Sequence, residues 1–337
     1  CMYGFGNIAI GSQALLGSGT VANNSGIVNI AIGKEAGRSI TTGGCNIILG
    51  CKAAFGITTG AWNTIFGRTA GRCLTTTNYN SYFGTYAGFR LRGAYNIAFG
   101  AKAMEGSSTA SNNTGGCNIA IGKEAGKNLT TGTFNIAIGE GAVSNCNLTG
   151  GNNIALGRNS GYFISGGNRN LFLGLQAGKY ANSNDGIALG QEALGGAVSS
   201  GNDNIAIGCF AGHKTTSGNT NITIGKAAGK CITTAYQNIY LGENAGFGYS
   251  SAATGNNNIA LGQGAGYAIC CAQHSVFLGT EAGYCNKIGK RNIYVGCGAG
   301  RCRGQSGGND NIALGQFALR GSAVVANNTG GYNIAIG

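Results

Sequence analysis

Asn29-Ile30-Ala31-Ile32-Gly33-Lys34-Glu35-Ala36-Gly37 is the stretch that decides the fold, because close copies of it recur along the whole of a 337-residue chain. Blocks of the form Asn-Ile-x-Ile/Leu/Phe-Gly occur nineteen times, closing on glycines from Gly11 and Gly33 to Gly315 and Gly337, and most successive glycines lie 16 to 18 residues apart. Seventeen of the blocks open with Asn, the exceptions being Gly186 and Ser275. Ala stands three positions after the block glycine in seventeen of eighteen complete repeats, with Ser160 as the exception. Five apolar-rich residues are too few for a helix and suit a strand, whose side chains alternate between two faces. That alternation puts Ile of the second and fourth positions on one face and Asn, Ala and Gly on the other, and the expectation is that Ile-x-Ile fills a core.

A strand so short cannot bury its own isoleucines, so stability must come from stacking each rung on its neighbours. Equivalent positions then repeat about 4.8 Å apart. The expected fold is all-β, a single-domain β-solenoid (β-roll or β-helix) of about nineteen rungs with a ~17-residue repeat. Asn29, Asn46, Asn63, Asn80, Asn96, Asn118, Asn135, Asn153 and Asn170 are expected to hydrogen-bond in a ladder. Three spacings of 22 follow Ala14-Leu15, Ala103-Met104 and Ala318-Leu319, where the usual Ala-Gly is replaced and polar residues are inserted, which predicts loops on one side of the coil. No composition shift marks a linker, so 1–337 reads as one continuous repeat array.

Composition excludes other architectures. With 66 glycines, no proline and 9% charged residues, the chain lies far from ordinary globular usage. Collagen is excluded by the absence of a Gly-X-Y period and of proline, and 43% hydrophobic residues exceed what disordered chains carry.

Runs such as Asn29 to Gly37 and Asn327-Asn328-Thr329-Gly330-Gly331-Tyr332-Asn333-Ile334-Ala335-Ile336-Gly337 resemble the repeats of fibre proteins of phages and giant viruses and of bacterial tail-fibre-like proteins. They resemble more distantly the β-roll heads of trimeric autotransporter adhesins, whose repeat is shorter. The resemblance covers essentially the whole chain. It implies a structural subunit of an extracellular or virion-surface fibre or filament, adhesive in some members. Its partners would be copies of itself, as an end-to-end filament or a parallel trimer, together with surface glycans; the implied location is extracellular, on a cell surface or on a virion. The chain begins six residues before a block and stops at a block glycine without a polar cap, which predicts either a longer array or end-to-end stacking.

Thirteen cysteines are more than that family leads one to expect. Cys73, Cys231, Cys285 and Cys302 share one phase of the repeat, and Cys285 and Cys302 stand on consecutive rungs, about one strand spacing apart, which makes them the candidate disulfide. The other reading of the cysteines is small buried hydrophobes in a reduced protein. Of six Asn-x-Ser/Thr sequons, Asn23, Asn112 and Asn327 fall at the loop phase and are the candidate glycosylation sites in a secreted eukaryotic chain.

The net charge of +12 is patterned. Lys34, Arg68, Lys123, Arg158 and Lys226 follow the block glycine directly, and Arg38, Arg72, Lys127, Lys179, Lys230 and Arg301 stand four residues on. Two interrupted basic stripes result; they could attract anionic surfaces, but a solvated face that blocks unwanted sheet contacts is the preferred reading, with no specific nucleic-acid partner. Tyr82, Phe172, Tyr240, Phe277 and Tyr294 occupy strand centres opposite the isoleucines, a face expected to pack against another chain or another part of the coil.

His213 and His274 stand apart, no isolated carboxylate pair is present, and no Cys-x-x-Cys suggests a metal. The expectation is no enzyme and no cofactor, and no apolar run long enough for membrane insertion. An ice-binding or glycan-binding solenoid is the alternative function, prompted by Thr41-Thr42, Thr58-Thr59, Thr75-Thr76, Thr130-Thr131, Thr215-Thr216 and Thr233-Thr234, although Thr-Thr-Gly also reads as a turn.

Overall fold

A computed structural model describes residues 4–18, 24–108, 113–248, 253–301, 308–321 and 330–337. The fold is an all-β solenoid. The described residues hold nineteen strands of three residues each and no helix. Contacts divide the chain into two compact units, Cys1–Arg169 and Asn170–Gly337. The first contains β1 (Ile8–Ile10) to β9 (Ile154–Leu156) and the second β10 (Leu171–Leu173) to β19 (Ile334–Ile336).

Within each unit consecutive strands pair in parallel and in register. Ile8 lies against Ile30, Ile30 against Ile47, and Ile119 against Ile136. In the second unit Ile205 lies against Ile222 and Ile222 against Ile239. Hydrogen bonds between rungs run well past the three strand residues, as in Ile30 N–H to Asn46 O (2.8 Å), Gly50 N–H to Ile32 O (2.8 Å) and Lys52 N–H to Lys34 O (2.8 Å). The backbone of each turn is therefore satisfied by the turns above and below, as buried amides require.

The parity of the strands is the reverse of the sequence expectation. The central residue faces inward: Ala31, Ile48, Ile65, Tyr82 and Phe172 are fully buried, while the flanking isoleucines are partly or largely exposed. Tyr82, Phe172, Tyr240, Phe277 and Tyr294 are thus among the largest buried side chains and form core rather than an outer packing face. Further core comes from the Ala three positions after the block glycine (Ala36, Ala53, Ala70), from the residue after it where that is large (Leu15, Met104, Val143, Leu194), and from Ile40, Ile57, Leu74 and Leu91.

The reason lies in asparagine. With period two, the first and third residues of a block share a face, so the side that takes Asn also takes the central residue. Inside the coil each Asn amide meets groups that have no other means of satisfaction. Asn46 Nδ2 donates to Asn29 Oδ1 (3.0 Å) and to Gly60 O (2.9 Å), and the Asn46 backbone N–H donates to the same Asn29 oxygen (3.1 Å). Pointing Asn outward would strand those buried groups at about 1–3 kcal/mol each, whereas a half-exposed Ile loses only part of its burial.

Two close approaches fix the corners. The block glycines stack backbone on backbone: at φ 133° a Cβ on Gly50 would lie 2.6 Å from Gly67 O and 2.7 Å from Gly67 C. Non-glycine residues with φ near 60° recur just before the block Asn, as at Cys45, Trp62, Tyr79 and Tyr95. Such left-handed residues persist only where surrounding structure over-determines them, here through hydrogen bonds to adjacent turns such as Trp62 N–H to Gly44 O (3.1 Å).

Candidate interaction surface

The inverted parity creates an outer face that sequence reasoning placed inside. In all nineteen strands the two outward positions are Ile, Leu, Val or Phe, except for Thr64 and Ser81. None is charged. Ile10, Ile47, Phe99 and Ile121 are 56%, 39%, 57% and 39% exposed. In the first unit alone, nine strands about 4.8 Å apart and three residues wide present an apolar strip on the order of 400 Å² in projection. That is within the about 300–600 Å² range of the largest patch on a typical monomer, a range in which patches are often functional.

One margin of this strip is aromatic. Register brings Trp62, Tyr79 and Tyr95 into a column of exposed rings, with centroids 6.4 Å and 5.0 Å apart and planes within 13° of parallel. Four residues on, at the last position of each strand, Phe66, Phe83 and Phe99 form a second column at 5.0 Å and 5.7 Å. Sequence reasoning missed the first column; its signal is three aromatics immediately before three successive block asparagines.

The second basic stripe also carries rings. At the second phase, cations and rings share one column: Arg38 lies over Phe55 (5.3 Å), and Arg72 sits between Phe55 (5.7 Å) and Phe89 (5.9 Å). In the second unit Lys230 lies between Phe210 (4.9 Å) and Phe247 (5.7 Å), Phe247, Tyr267 and Tyr284 stack at 5.0 Å and 4.7 Å, and Arg301 closes the column 5.6 Å from Tyr284. Opposite charges also meet between neighbouring rungs, as in Lys123–Glu140 (3.2 Å) and Lys226–Glu243 (3.6 Å). Arg291 and Asp310 make a two-pronged pair at 2.6 Å and 2.8 Å, whose hydrogen bonds hold the Asp310 carboxyl below its ordinary value and Arg291 above its own.

The asparagine ladder runs through the first unit from Asn29 by Asn46, Asn63, Asn80, Asn96, Asn118 and Asn135 to Asn153, each backbone N–H donating to the side-chain oxygen one rung earlier. Asn170 stands at the start of the second unit's column, where its Oδ1 accepts from the Gly186 N–H (2.9 Å). Ser275 takes an Asn place by accepting the Asn292 N–H on Oγ (3.1 Å). All these residues are buried and structural.

Other candidates fare differently. Cys285 is partly buried, but Cys302 lies outside the described residues, as do Asn23, Asn112 and Asn327. Cys51, Cys117 and Cys297 are exposed free thiols, and Cys231 is buried. The first threonine of the two earliest pairs ties adjacent turns together: Thr41 Oγ1 donates to Thr58 O (3.3 Å) and Thr58 Oγ1 to Thr75 O (3.2 Å), which is turn chemistry. His213 Nε2 meets Glu192 Oε2 at 3.0 Å against the Phe210 ring; burial lowers its pKa and Glu192 works against that shift. His274 is exposed. Among the described residues no three His, Cys, Asp or Glu gather as a metal site would need, and no helix is long and apolar enough to cross a membrane.

Comparison of the chain with protein-family models and with curated proteins finds no match.

Proposed function

We propose that the chain is a structural solenoid, a subunit of an extracellular or virion-surface fibre, in which copies of the protein pack side by side through the outward Ile/Leu/Phe strip. The observation that carries this reading is the absence of any charge from the outward positions of nineteen strands. Solvent-facing sheets ordinarily alternate apolar and polar residues, and natural proteins place charges where association must be avoided. A second copy is the occupant best matched to the strip, since it offers the same apolar rows at the same spacing.

The protein carries its own reporter, because Trp62 is its single tryptophan and sits exposed on the margin of the strip. Sedimentation velocity should show an oligomer whose Trp62 emission lies to the blue of that of the variant Ile121→Lys/Ile138→Glu. That pair is cross-strand and oppositely charged, so the fold is spared while the strip is broken. The variant should be monomeric with unchanged circular dichroism. A monomeric wild type, or a variant that still assembles, refutes the reading; so does flotation of a monomeric wild type with neutral lipid vesicles, which would make lipid the occupant.

A further inference from the structure

In the second unit the column two positions after the block glycine holds Asn244, Gly264 and Glu281 on three consecutive rungs, strands Ile239–Leu241, Ile259–Leu261 and Val276–Leu278. Gly264 leaves a gap between two full side chains. The backbone there is unbroken: Gly264 N–H donates to Glu243 O (2.9 Å) and Glu281 N–H to Gln263 O (2.8 Å). A cavity of about 210 Å³ results, lined by Asn244, Gln263, Thr280, Glu281 and the rings of Tyr267 and Tyr284.

From this geometry we infer that the notch at Gly264 is a binding site for one neutral sugar residue, free or at the end of a glycan. The lining is predominantly hydrogen-bonding and of both kinds. Two amides, a hydroxyl and two phenols can each donate and accept, and a carboxylate accepts. Hydroxyl-rich ligands use both kinds at once, whereas an apolar ligand would strand them. Net charge is not selected, because Glu281 is already matched by Arg301 at 3.0 Å. The faces of Tyr267 and Tyr284 are stacked on each other (4.7 Å, planes 3° apart), so they offer edges and a rigid wall. The volume lies below the about 300–1,000 Å³ of sites for drug-sized molecules, which limits the occupant to a single ring. This inference is independent of side-by-side assembly.

The notch provides its own control. A Cβ on Gly264 would meet Tyr284 Cε2 at 3.5 Å and Glu281 Cγ at 3.6 Å, ordinary contact distances. Its φ of 63° matches the 57° of Asn244 and 55° of Glu281, and Gln176 occupies the same column at 57°. Gly264→Gln therefore fills the cavity with a side chain the fold already accepts. Saturation-transfer NMR on the full chain, with glucose, galactose, mannose and N-acetylglucosamine each at about 10 mM, should detect binding of at least one, weakened at least about ten-fold in Gly264→Gln, whose thermal unfolding falls by only the few degrees that a left-handed residue costs. Gln263→Ala, which removes one amide and leaves the backbone alone, should weaken the same sugar. The inference is overturned if no neutral sugar binds, if a charged sugar such as glucosamine or sialic acid binds instead, or if binding survives in both variants; should Gly264→Gln fail to fold, Gln263→Ala alone decides.

Discussion

Exchanging the side chains of one core layer gives the sharpest test of how these rungs are filled. Tyr82 is fully buried and its hydroxyl donates to Asn80 Oδ1 (3.2 Å). Six residues on, Gly88 (φ 59°) packs against the ring so closely that a Cβ would lie 2.6 Å from Tyr82 Cδ2. The other rungs with an aromatic centre repeat the pairing, Phe172 with Gly178, Tyr240 with Gly246, Phe277 with Gly283 and Tyr294 with Gly300. Large side chains at the second position occur with alanine at the first: Leu15 with Ala9, Met104 with Ala98, Val143 with Ala137, Leu194 with Ala188, Leu319 with Ala313. Gly88→Ala should cost about 2–5 kcal/mol, from about 1–2 for a left-handed alanine and about 1–3 for overpacking. Tyr82→Ala should cost about 3–5 kcal/mol through the cavity it leaves. The double variant Tyr82→Ala/Gly88→Leu recreates the Ala188–Leu194 layer and should be more stable than Tyr82→Ala or Gly88→Leu alone, with a coupling of about 1–3 kcal/mol. Because long arrays need not unfold in two states, the readout is native-state hydrogen exchange of the amides of Ser81–Phe83 and their neighbours, supported by urea unfolding. Additive losses in the double variant would refute the layer argument.

Four further outcomes follow from the same geometry. Asn63→Ala should destabilise by about 1–3 kcal/mol because the Asn80 N–H loses its acceptor, while Asn63→Ser should recover much of that loss as Ser275 does; equal exchange rates of the Asn80 amide in both would contradict the ladder. Gly50→Ala should cost about 2–4 kcal/mol, since the atoms in its way are the Gly67 backbone, against about 1 for Gly126→Ala, where the nearest atoms stand at 3.4 Å and 3.5 Å; thermal unfolding of the two variants decides. Burial pushes the Tyr82 and Tyr240 phenols above their ordinary value. Their folded pKa is raised, so the stability they contribute is present below the unfolded value of about 10 and is lost as pH climbs beyond it; Tyr82→Phe/Tyr240→Phe should flatten that alkaline loss in urea unfolding at pH 9 to 11. At the acid end, Asp310 lies below its ordinary value, so what its pair with Arg291 contributes is present above the unfolded carboxylate range and disappears as pH falls through the lowered value; Asp310→Asn should lose that acid dependence and, the pair being exposed, change stability little at neutral pH.

The repeat period, the strand positions and the asparagine column were legible in the sequence because each is a statement about spacing, and stacking converts spacing into contact. Which face looks inward was not. Hydropathy sorts Ile above Asn, yet the interior of so narrow a coil is decided by hydrogen-bond satisfaction: Asn46 satisfies Gly60 O, and an Ile there could not. The clue was present in Tyr82 with Gly88 and Ala98 with Met104, a size exchange that only side chains sharing one confined layer need. The notch at Gly264 left no sequence signal, since one glycine among 66 is invisible until its neighbours are placed. The ring column of Trp62, Tyr79 and Tyr95 was readable by phase.

The asparagine column has a direction. Asn29 donates through both its backbone and side-chain nitrogens to Asn7 Oδ1, Asn46 does the same to Asn29, and so on toward higher residue numbers. Each asparagine rung thus offers an oxygen to its successor and receives one from its predecessor, so the column is a vector, like a row of arrows laid tip to tail. A rung can extend it only in the same sense, because two rungs meeting through their late faces would set oxygen against oxygen. The smallest unit that can be inserted into or removed from this molecule without breaking the column is therefore a whole turn read in the same orientation, which makes tandem duplication the natural way for such a chain to lengthen and inversion a change it could not absorb.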